Sequence, residues 1–63
     1  MATFATLSAC ETRCRQQITA KVWVNAHTGR NFNGQIVARF QRYMSPTHPD
    51  YGAWTETSDD SVS

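Results

Sequence analysis

The chain has 63 residues, of which 40% are hydrophobic and 17% charged, and its net charge is +1. A domain this short buries only about 60% of its unfolded surface, and a single core of that size rarely supplies more than about 3–5 kcal/mol. A substrate cavity of ordinary size, about 300–1,000 Å3, would consume most of the interior, so length and composition weigh against an enzyme.

The first residues lack the basic segment and apolar run of a secretory leader, and no stretch approaches the roughly 20 apolar residues that span a bilayer. A cytoplasmic chain with no membrane contact is therefore expected. Charge is unevenly distributed along it. Residues 1–45 hold all six basic side chains against Glu11 alone, whereas residues 46–63 hold the other four carboxylates. A basic body followed by an acidic end is a pattern associated with acidic partners or self-shielding.

Ser8-Ala9-Cys10-Glu11 fits a capping box, in which Ser8 caps a helix and Glu11 reaches back to the Ser8 amide. The spacing predicts a helix over residues 8–17, with Leu7, Cys10 and Cys14 on its inward stripe. Two cysteines are too few for a disulfide scaffold, and four residues apart on a helix they are poorly placed to bridge. Both are expected to be reduced and partly buried.

Residues 18–26 and 30–41 read as the two strands of a β-hairpin around a His27-Thr28-Gly29 loop, with Gly29 in the left-handed position such loops use. That loop sets Ala26 opposite Arg30, Val22 opposite Gly34 and Ile18 opposite Ala38. Small and apolar residues of even number then share one face, the floor of the core. A competing pattern exists. Ile36, Val37, Phe40, Tyr43 and Met44 recur at helical spacing before Pro46, so a helix-strand-helix chain with residues 34–44 helical is the alternative.

Residues 45–50 contain both prolines and read as a connection. A short third strand is expected near residues 52–57. The whole reads as an α+β mini-domain over residues 1–57, one helix packed on a hairpin, with residues 58–63 as a flexible acidic tail.

The odd-numbered face of the hairpin carries the functional signal. In the register above it groups Lys21, Trp23, Gln35, Arg39 and Tyr43, with Arg30 at the turn. Trp, Tyr and Arg are the residue types enriched at interface hot spots. The primary expectation is a non-enzymatic binding protein that docks on a larger protein and blocks or modulates it, in the manner of small phage or mobile-element inhibitors. Trp23 and Tyr43 would be its anchors, with Arg39, Lys21, Gln35 and Arg30 around them. The alternative is a small nucleic-acid-binding protein that stacks bases on the same face while Lys21 and Arg39 follow phosphates. Self-association through an exposed sheet edge is a further expectation.

Cys10, Cys14 and His27 match the first three ligands of a C2H2 zinc finger, but Asn31, Phe32 and Asn33 occupy the places of the fourth. His48 could complete such a site only through a long loop, so no metal and no cofactor is expected. Catalytic motifs are not found: Asp59-Asp60 lies in the tail, and no nucleophile elbow or phosphate loop occurs.

Overall fold

The computed structural model describes residues 2–62. Helix α1, Leu7–Thr19, is followed by strands β1, Asn25–Arg30, β2, Ile36–Gln41, and β3, Thr55–Thr57. The strands form one antiparallel sheet in the order β1-β2-β3, and α1 packs over β1 and β2. This is a small α+β domain. Residues 36–41 are strand, so the alternative with residues 34–44 helical does not occur. Among the described residues, no helix is long and apolar enough to cross a membrane.

The N-cap of α1 lies two residues before the expected one. Thr6, in extended conformation, is the N-cap, and its hydroxyl accepts the Ala9 amide at 3.0 Å. The helix also runs past residue 17 and ends in a Schellman motif. The Lys21 N–H donates to the Ile18 carbonyl and the Val22 N–H to the Gln17 carbonyl, both at 3.0 Å. Lys21 sits in the left-handed region at φ 62° to close this motif, a position usually taken by glycine. The reversal ends the helix abruptly and turns Trp23 inward.

That turn decides the core. Trp23 and Phe40 stack face to face, with ring centroids 4.0 Å apart and planes 5° apart. Phe4, Cys10, Cys14 and Ala38 complete the buried cluster, and Val22, Ala26, Ile36 and Val62 pack against it. Both cysteines are free thiols. Burial pushes the Cys14 thiol up, and the neighbouring Cys10 adds to the effect.

The hairpin is present, but its strands and register differ from the sequence reading. Ala26 pairs with Phe40, Thr28 with Ala38 and Arg30 with Ile36. Residues 18 and 19 are helical, the following residues form the helix exit, and the connecting loop comprises residues 31–35. His27-Thr28-Gly29 lies inside β1 and makes no turn. Gly29 has a different use. A Cβ there would lie 2.5 Å from Arg39 Nη1, so the missing side chain leaves room for the Arg39 guanidinium to cross the strand.

Residues 58–62 are held against the domain, in contrast to the tail expected there. Thr3 and Asp59 form an isolated bridge. The Phe4 N–H donates to the Ser58 carbonyl at 3.1 Å, and the Asp60 N–H to the Ala2 carbonyl at 2.9 Å. Gln17 Nε2 donates to the Val62 carbonyl at 3.3 Å, which closes the strap over the helix. Residue 63 lies outside the described residues.

Candidate functional site

The site is built by the loop between β1 and β2. Asn31 organises it with both its main chain and its side chain. The Asn31 N–H donates to the Gln35 carbonyl at 3.1 Å, and the Asn31 carbonyl accepts the Gly34 N–H at 3.0 Å. Asn31 Oδ1 accepts the amides of Asn33 at 2.9 Å and Gln35 at 3.0 Å. Asn31 Nδ2 donates to Gln35 Oε1 at 2.9 Å. An asparagine side chain that caps its own turn in this way is a standard loop device. Gly34 supplies the positive φ, 77°, that brings the chain back into β2. Arg30 Nη1 donates to the Gly34 carbonyl at 2.8 Å and braces the loop from the β1 side.

Phe32 stands at the tip of this braced loop with a relative exposure of 109%, as open as in an extended peptide. Beside its base, Arg39 lies across Gly29 and pairs with Glu56 of β3, Nε to Oε1 at 2.9 Å. Arg39 Nη2 also donates to the Arg30 carbonyl at 3.1 Å. Arg30, Asn31, Phe32, Arg39 and Glu56 together line an open concavity of about 410 Å3. The arrangement is an apolar projection on a hydrogen-bonded base, rimmed by an arginine and a neutralised ion pair. Glu56 is engaged by Arg39, and the lining residues contain no Ser, Cys or His.

Of the six residues singled out from the sequence, the structure brings three to this end of the hairpin: Arg30, Gln35 and Arg39. The other three are elsewhere. Trp23 is 1% exposed and belongs to the core, because the helix ends in a tight reversal and the residue never enters a strand. Lys21 forms that reversal. Tyr43 lies beyond β2, where its ring stacks on His48 with centroids 3.7 Å apart. The sheet platform of Lys21, Trp23, Arg39 and Tyr43 is therefore not assembled.

The weak zinc set does not converge either. Cys10 and Cys14 lie in the core, His27 stands against Trp54 with centroids 5.2 Å apart, and His48 is stacked on Tyr43. Among the described residues, no group of three or more His, Cys, Asp or Glu side chains is placed to hold a metal ion.

Phe32, Asn31 and Glu56 are the members of the site that the sequence reading missed. In the register expected from the sequence, Phe32 is an even-numbered residue of the second strand and falls on the core face. The signal that marks it as a tip is Asn33-Gly34, the strongest short-range hairpin dipeptide, preceded by Asn31 at the spacing of an Asx turn. Compared with known protein families, curated proteins and solved structures, the chain finds no match.

Proposed function

We propose that this chain is a non-enzymatic binding protein that docks on a larger protein through the β1–β2 tip and blocks or modulates it. The observation that carries the reading is Phe32, fully exposed on a loop that Asn31 and Arg30 hold in one conformation. A mobile exposed phenylalanine would give up most of its burial energy to ordering on binding, whereas one on a fixed loop keeps it. An aromatic side chain entering a partner pocket, with polar groups around it, is the anatomy of an interface anchor. Arg30 and the Arg39–Glu56 pair supply that rim.

The same anatomy supports protein over nucleic acid as the partner. Base stacking on the sheet would use Trp23, which is buried, and phosphate contact would use Arg39, whose guanidinium is paired with Glu56.

Pull-down from the cells that make the protein tests this, with wild type, Phe32→Ser and, as a second exposed aromatic, Trp54→Ser. The expected result is a discrete partner retained by wild type and Trp54→Ser, and bound at least about tenfold more weakly by Phe32→Ser. Equal retention by all three chains would place the contact elsewhere. An oligonucleotide bound at low salt, with affinity falling steeply as salt rises, would favour the nucleic-acid reading instead.

A further inference from the structure

The sheet has two outer strands, and they are protected very differently. β3 has only three residues, and the chain that follows it is paired with residues 2–4 through the Thr3–Asp59 bridge and its flanking bonds. β1 has six residues, Asn25 to Arg30, and contains no proline or lysine of the kind that blunts exposed edges. In an antiparallel ladder the main-chain groups of alternate residues point away from the neighbouring strand. The Asn31 N–H bond to the Gln35 carbonyl fixes the phase. Asn25, His27 and Gly29 bond to β2, and Ala26, Thr28 and Arg30 face the free edge. Ala26 and Thr28 present both N–H and carbonyl there. Arg30 presents its N–H, while its carbonyl receives Arg39 Nη2.

A groove of about 450 Å3 runs along this edge between β1 and α1, lined on the helix side by Glu11, Cys14, Arg15 and Ile18. Ile18 is 41% exposed on it. Edge and groove together make a slot for one more strand.

We propose that the occupant is the β1 edge of a second copy of this chain, paired antiparallel about a two-fold axis at Thr28. That register is self-complementary. It sets Thr28 opposite the second copy's Thr28 as a bonded pair, and Ala26 opposite the second copy's Arg30, whose carbonyl, already accepting Arg39 Nη2, takes the Ala26 N–H on its second lone pair. His27 falls opposite the second copy's Gly29, over which that copy's Arg39 guanidinium lies, and no residues of like charge are paired along the ladder. Threonine pairs are favourable cross-strand neighbours.

Such an axis stands normal to the sheet, so the two α1 helices lie on the same face and run antiparallel across it. Each groove brings one acid and one base, and the two-fold sets Glu11 and Arg15 of one copy towards Arg15 and Glu11 of the other. Charge complementarity and main-chain register thus select the same partner. The product is a continuous six-stranded sheet with a Phe32 tip at each end.

Sedimentation equilibrium of the full chain over rising concentration, to about 1 mM, tests the proposal together with amide hydrogen exchange. The expected mass at the upper end is twice the 7.1 kDa of the chain. The Ala26, Thr28 and Arg30 amides should become slow to exchange as concentration rises. Ala26→Pro removes an edge-facing donor and no internal bond, as edge strands tolerate, and is expected to weaken the dimer at least about tenfold. If that variant fails to fold, the concentration dependence of the three wild-type amides decides. A monomer throughout, with those amides exchanging freely, would overturn the proposal and leave the edge to an extended segment of another protein. A dimer in which they stay unprotected would overturn it equally.

Discussion

Asn31 is the side chain on which the hairpin tip depends. Its amide group makes three hydrogen bonds within five residues of chain, each worth a net ~0.5–1.5 kcal/mol, with exposed bonds at the low end. Asn31→Ala is therefore expected to cost about 1–2 kcal/mol in urea unfolding, and to weaken partner binding because Phe32 then has to be ordered. Asn31→Asp keeps the two bonds accepted by Oδ1 and is expected to lose less. Equal stability of wild type and Asn31→Ala would show that the loop holds its shape by other means. Lys21 presents the opposite case, a residue in a conformation that does not suit it. A left-handed backbone costs an L-residue about 1–2 kcal/mol, and Lys21 sits there at φ 62°. Lys21→Gly is expected to raise stability by about 1 kcal/mol and the melting temperature by about 4–8 °C. A lower melting temperature would mean that the lysine contributes something its geometry does not reveal.

At the scale of elements, the sequence carried the faces of the hairpin better than its register. The expected pairing set Ala26 opposite Arg30, and the structure sets it opposite Phe40. The two registers differ by an even number of residues, so Ala26, Ile36, Ala38 and Phe40 still face the helix and Asn25, Arg39 and Gln41 still face away. Period-two alternation fixes sidedness and says little about which residues meet. Turn chemistry should have settled that, and two loops competed. Asn33-Gly34 prevailed because Asn31 caps the turn and Gly34 takes the positive φ, while Gly29 was needed inside the strand to clear Arg39. The other misreading has a different origin. Ile18 to Val24 alternates and is β-branched, which suits a strand. No glycine marks the end of the helix, because a lysine occupies the C′ position. The helix therefore ran on through residue 19, and Trp23 went to the core. Its burial followed from that reversal and could not be read from alternation. The third strand, expected near residues 52–57, occupies Thr55–Thr57.

The whole molecule is closed by the chain after β3. Asp59 Oδ1 accepts both the main-chain N–H of Ser61 at 2.9 Å and its hydroxyl at 2.7 Å. These bonds, the main-chain one first, hold the Asp59 carboxyl below the usual aspartate range. The ionised form is thus favoured in the folded chain. Its contribution is present above the ordinary aspartate value of about 3.9 and is lost as pH falls through the lower folded value. The Ser61 amide resonance is expected to shift with a midpoint below that ordinary value, and Asp59→Asn should abolish the shift. A midpoint at or above it would contradict the two bonds.

With the strap closed, the molecule offers the Phe32 tip at the far end of a hairpin whose other face is covered by α1. The most direct test of docking through that tip is to replace Phe32 with a photo-crosslinking phenylalanine analogue and irradiate the protein in the cells that make it, with the same analogue at Gln16 on the exposed side of α1 as the reference. The account predicts one discrete adduct from position 32, competed away by excess wild type and spared by excess Phe32→Ser, and none from position 16. The same adducts from both positions, or competition by Phe32→Ser as effective as by wild type, would contradict it.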